Sequence, residues 1–154
     1  MGHGPFRLIY FASRFHLFPG TMPTPISFFP AFQAAFAPGS TLVRPAIGHV
    51  PLLAALRLPP GPAAPAAILH DPAQQRVFLL EAAVAGGPIT EARRRELAAW
   101  AAACPMALVF VSAFATRAEF ALVADQIAWE TEVWLADAPQ HLIHFNGDRF
   151  IGPR

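Results

Sequence analysis

Two uninterrupted apolar runs, Val77 to Leu80 and Ala107 to Val111, stand on either side of a helical pattern, and this spacing constrains the fold more than any other feature. A strand covered on both faces needs a continuous apolar run rather than alternation. Between the runs, Gly86-Gly87-Pro88 breaks the first strand, and Thr90 is placed to cap a helix from Glu91 to about Ala103. Glu91 puts an acid in the first turn, Leu97, Trp100 and Cys104 fall at helical spacing, and Pro105 ends the helix. Such a segment is long enough for the right-handed crossover that joins parallel strands, so the sheet is expected to be at least partly parallel.

The same alternation of elements continues towards the C-terminus. Thr116 and Glu119 form a capping box, and Phe120, Val123, Ala124 and Ile127 make one apolar stripe, which predicts a second helix. Thr131 to Leu135 reads as a further strand. His141 to Phe145 and Asp148 to Ile151 read as a hairpin around Asn146-Gly147, the pair favoured by a type I′ turn. The expected class is α/β, a mixed and partly parallel sheet flanked by helices, without internal repeats.

Upstream the pattern is irregular. Met1 to about Pro38 interleaves Phe and Pro without sustained periodicity, except that Phe28, Phe32 and Phe36 recur four apart and predict a short helix, with Pro30 near its beginning. Leu58 to Pro65, reading LPPGPAAP, suits neither a helix nor a central strand. The division expected is therefore a Phe/Pro-rich segment and linker over 1–65, followed by an α/β domain over 66–154.

Of the 154 residues 55% are hydrophobic and 14% charged, yet no stretch approaches the roughly 18 uncharged apolar residues that a membrane-spanning helix requires. No export signal is read in Leu8 to Ala12, because that run is too short for a signal-peptide core. The single Cys104 cannot form an internal disulfide and agrees with a reducing cytoplasm. The formal net charge of +1 rules out binding nucleic acid by bulk charge alone, so any DNA contact is local.

The run IAWETEVWLADAPQHLIHFNGDRFIGP, Ile127 to Pro153, is long and of unusual composition. It resembles the ending of the BsuBI/PstI restriction endonucleases. The resemblance continues through ALVFVSAF (Ala107 to Phe114), the helix after Thr90 and LLEAAVAGGP (Leu79 to Pro88). It implies a restriction-endonuclease-like domain of the PD-(D/E)xK type, homodimeric, cutting the palindrome CTGCAG in double-stranded DNA with Mg2+, beside a cognate DNA methyltransferase. In such a site two carboxylates near a strand end hold the divalent cation that activates water.

Carried over residue by residue, the resemblance assigns the acid of LLEAAVAGGP, Glu81, as catalytic and metal-binding. The family's Pro-Asp-Val-Val-x-Tyr-Asp corresponds to Pro65-Ala66-Ala67-Ile68-Leu69-His70-Asp71, so the motif aspartate is replaced by Ala66. The polar positions after Glu81 are apolar or Gly here, and the amino-terminal helical region of full-length members has no match. An impaired active site is the expectation.

Asp71 is a candidate substitute metal ligand, although Asp-Pro more commonly opens a solvated turn. Arg93 and Arg94 are candidate contacts to the DNA backbone, and with Arg95 they point three ways around a helix. The plain alternative for Glu81 is a strand-end carboxylate paired with Arg93 or Arg94, or simply solvated. His141 and His144 fall on opposite faces of a strand and make a poor metal pair. Glu130 and Glu132 are expected to share a face, exposed or paired with Arg117 or Arg149.

Overall fold

The computed structural model describes residues 28–48, 50–83 and 87–147. Among them runs one six-stranded sheet, with strands β1 (Thr41–Val43), β2 (Ala67–Asp71), β3 (Arg76–Ala82), β4 (Ala107–Phe114), β5 (Glu132–Leu135) and β6 (Leu142–His144) side by side in chain order. The β3–β4 and β4–β5 pairs are parallel, and β1–β2, β2–β3 and β5–β6 are antiparallel. The mixed α/β sheet expected from the apolar runs is the fold observed.

The connections explain the mixture. Helix α3 (Glu91–Trp100) lies between β3 and β4, and α4 (Arg117–Ala121) lies between β4 and β5, the places where parallel neighbours need a crossover. Both start as their sequences dictate: the Thr90 hydroxyl accepts from the Arg93 amide, and the Thr116 hydroxyl from the Glu119 amide. The Glu119 carboxylate reaches back to the Ala115 amide at 3.1 Å. Helix α3 stops at Trp100, a little before the expected Ala103, and closes in turns.

The second predicted helix is shorter than its apolar stripe. It stops after Ala121, and Val123, at φ −133 and ψ 15, interrupts it before a single 3-10 turn at Ala124–Gln126. The backbone then turns so that the Ala128 amide donates to the Ile89 carbonyl, a tie to the start of α3 that a continued helix would forgo.

Two faces of the sheet are covered. On one, Val77, Leu79 and Ile68 pack with Leu97 and Ala101 from α3 and its exit, and with Leu53 of α2 (Val50–Ala55). Phe114, Val133 and Leu135 continue that face under Phe120 of α4. On the other, Phe78, Leu80, Val111, Ala113 and Trp134 pack with Phe29 and Phe32 of α1 (Phe28–Phe36). Phe32 meets Phe78 and Trp134 edge to face, with ring centroids 5.3 and 5.7 Å away.

Residues on the N-terminal side of Pro65 therefore contribute two helices, α1 and α2, and an edge strand to this same core. Pro30 sits in the first turn of α1, where its missing amide costs nothing. Leu58 and the prolines that follow form an irregular connection, as their lack of donors requires. At the other end β6 returns antiparallel to β5, while the expected second hairpin strand, Asp148 to Ile151, lies outside the described residues.

Candidate active site

The parallel register fixes what surrounds Glu81. It is level with Ser112 of β4, which in turn is level with Val133 of β5. Ser112 is fully buried, and its hydroxyl accepts from the Ile89 amide at 2.9 Å, anchoring the loop that leads into α3. Alternation along β3 sends Glu81 to the side of Val77 and Leu79, the face covered by α3.

There the carboxylate meets Arg93, one turn into α3. The guanidinium donates to Glu81 Oε1 from Nη2 at 2.6 Å and from Nε at 3.0 Å. It also donates to Glu96 at 2.7 Å and to the Ala64 carbonyl at 3.2 Å. Burial works to lower the Arg93 pKa, but the hydrogen bonds to Glu81 and Glu96 outweigh it and hold the group above its ordinary value. With only 14% of the Glu81 side chain exposed, this fixed cation is what makes a carboxylate tolerable at the strand end.

The β2–β3 ladder begins at Ala67↔Leu80, next to Glu81, and Ala66 is the residue just before it. Ala66 lies in the bend that leads into β2, and its methyl packs against the cluster on the α1 side. Ala66, expected to stand in for the motif aspartate, brings no acid to this end of the sheet, while the Ala64 carbonyl two residues earlier is turned to Arg93.

Asp71 is at the other end of the hairpin, paired with Arg76 in the β2–β3 register. Five residues of strand, about 16 Å, separate its level from that of Glu81. It is 5% exposed rather than solvated, with one oxygen on Arg76 Nε at 3.0 Å and the other on the Gln74 amide at 3.2 Å. Those bonds close the turn, so the structure does not bring Asp71 and Glu81 together. Among the described residues no group of three or more His, Cys, Asp and Glu side chains is placed to hold a metal ion. The donor set at Glu81, one carboxylate oxygen already receiving two N–H groups, does not fit a divalent cation.

Arg94 and Arg95 both turn to Glu91, at 2.9 and 3.1 Å. The hydrogen bond between Arg94 and Glu91 raises the pKa of the first and lowers that of the second. The three arginines do not point three ways: Arg93 turns to Glu81 and Glu96, while Arg94 and Arg95 share Glu91, and each is engaged in an ion pair.

The acids before β5 take a different arrangement from the alternation expected. Glu130, at φ 62, stands outside the strand, so it does not continue the face of Glu132. Glu132 is buried, accepts from Asn146 Nδ2 at 2.8 Å and pairs with His144 Nδ1. Sequence reading missed this cluster, because it depends on the β5–β6 register that sets Glu132 beside His144. Trp134 is core, whereas Trp129 is 70% exposed.

Comparison with known proteins gives this architecture its relatives. The chain superimposes on the structure of SdaI restriction endonuclease with a TM-score of 0.69 and 37% identity, over 82% of this chain and 43% of that one. The fold is that of a restriction endonuclease. The BsuBI/PstI restriction endonuclease domain model matches residues 53–148, more than half of the chain, and the chain belongs to this family. It is 43% identical over 89 residues to the type II restriction enzyme BsuBI of Bacillus subtilis, covering 58% of this chain and 28% of that enzyme. It is 32% identical over 87 residues to the type II restriction enzyme AplI of Arthrospira platensis, covering 56% and 27%. The chain thus spans little more than a quarter of the length of these curated relatives. No helix of the described residues is long and apolar enough to cross a membrane.

Proposed function

We propose that this chain is the nuclease-type domain of a type II restriction endonuclease, associating with duplex DNA, in a copy whose hydrolytic site is impaired. One observation carries the reading. Glu81, the retained motif acid, gives a carboxylate oxygen to Arg93, and Ala66, the residue before the start of β2, brings no acid where the resemblance puts the motif aspartate. Metal-assisted phosphodiester hydrolysis uses paired carboxylates to hold a divalent ion, Mg2+ by family, against the scissile phosphate. A lone carboxylate neutralised by a guanidinium does not offer that charge.

The remaining expectations follow from the family. The site sought is a palindrome, CTGCAG, which a homodimer matches because its twofold axis coincides with that of the DNA. A methyltransferase of the same specificity is the partner that protects the host's own copies, and the cytoplasm is where both would meet DNA.

The test is incubation with Mg2+ and a plasmid carrying CTGCAG, comparing the natural chain, Ala66→Asp, and Ala66→Asp combined with Arg93→Ala. The natural chain is expected to leave the plasmid supercoiled, and linear product from either variant supports a nuclease fold disabled at one carboxylate. Linear product from the natural chain would overturn the impaired-site reading.

A further inference from the structure

Beside β5 and on the same face of the sheet as Glu81 lies a half-open cleft of about 300 Å³, lined by Arg117, Leu135, Asp137, Ala138, His141 and Ile143. Its position follows from the register. Glu81, Ser112 and Val133 are level, Leu135 is two residues beyond Val133 on the same face, and the β5–β6 register carried one residue past Trp134↔Leu142 sets His141 level with Leu135. The cleft therefore opens at the end of the sheet where Glu81 sits, two to three strand spacings away, about 10–15 Å.

Its polar groups are one guanidinium, one imidazole and one carboxylate, set among Leu135, Ala138 and Ile143. Among the described residues the Arg117 guanidinium, like those of Arg44 and Arg57, has no ion-pair or hydrogen-bond partner, whereas Arg76, Arg93, Arg94 and Arg95 are each paired with a carboxylate. The exposed ring of His141 adds a polar N–H-bearing group to the same cleft. Asp137 is the one acid in the lining, and its Oδ2 is engaged by the Arg117 backbone amide at 3.2 Å.

We infer that this cleft is a phosphate-binding subsite for the backbone of duplex DNA, with Arg117 as the charge-bearing contact and His141 beside it. The inference rests on the DNA-associating reading above and deepens it. A backbone passing over Glu81 reaches the cleft in about three or four nucleotide steps at ~3.4 Å of helix axis each. Such a contact fixes position rather than sequence, which suits a chain whose net charge is too small to bind by bulk attraction.

The experiment is fluorescence anisotropy with a labelled CTGCAG duplex over a series of salt concentrations, using the natural chain, Arg117→Ala, Arg117→Lys, His141→Ala and, as a control outside the cleft, Arg95→Ala. Arg117→Ala is expected to weaken binding several-fold and to reduce the salt slope by about one. Arg117→Lys should keep most of the affinity, His141→Ala should weaken it less than Arg117→Ala, and Arg95→Ala should leave it unchanged. Binding that Arg117→Ala leaves unaltered in affinity and salt slope would overturn the subsite alone. No binding by the natural chain would overturn the DNA-associating reading and the subsite with it.

Discussion

Arg93 reaches across from the first turns of α3 to hold Glu81 Oε1 with two of its nitrogens, at 2.6 and 3.0 Å. The pair ties the helix that crosses the sheet to the end of the strand it follows, and the same guanidinium reaches Ala64 just before β2. Three segments that meet at this end of the sheet are thus joined through one cation.

Removing that cation leaves a largely buried carboxylate without a counter-charge. Arg93→Ala is expected to destabilise the chain by about 1–3 kcal/mol. Arg93→Ala with Glu81→Gln should recover part of the loss, because the stranded charge is gone. Urea denaturation of the two variants checks this, and equal stabilities would contradict it.

The exposed end of α3 carries a pH dependence of known sign. Arg94 holds the Glu91 carboxyl below its ordinary value through their hydrogen bond. A group depressed on folding stabilises the folded chain above its unfolded pKa, and that contribution is lost as pH falls through the folded value. Titration of Glu91 by NMR should show the depressed carboxyl, and Arg94→Ala should return it towards an ordinary glutamate. A Glu91 titration unmoved by that change would refute the assignment.

Phe32 links α1, the short helix expected from the spacing of Phe28, Phe32 and Phe36, to the body of the sheet. It is fully buried against Phe78 and Trp134. Phe32→Ala should cost about 3–5 kcal/mol and shift the fluorescence of Trp134. A near-neutral effect would mean that α1 is not part of the cooperative unit.

What the sequence made legible is the central sheet. Val77 to Leu80 is a strand buried on both faces, as its unbroken apolar run requires. Ala107 to Val111 is also a strand, but it runs from an exposed Ala107 through half-buried Leu108, Val109 and Phe110 to a buried Val111, so its apolar run overstates its burial. Thr90 and Thr116 cap helices through hydroxyls that local sequence alone determines. The pairing of β1 with β2 was not legible, since a three-residue strand gains its identity from its neighbour. Val123 likewise gave no warning that the backbone would leave the helix, because the competing contact is made with Ile89, distant in sequence.

The candidate site divides in the same way. Glu81 stands out as the acid of LLEAAVAGGP, and the helix that follows offers Arg93 or Arg94 as its partner, a choice that only the fold makes in favour of Arg93. Burial of Asp71 and the union of Glu132 with His144 and Asn146 depend on turn closure and strand register, which residue types do not encode one by one.

Calorimetric titration of Mg2+ into the natural chain and into Ala66→Asp combined with Arg93→Ala tests most directly the claim that Arg93 and Ala66 together disable the site. The natural chain should give no binding heat above dilution, and the double variant should bind the ion. Saturable binding by the natural chain, abolished by Glu81→Gln, would contradict the claim.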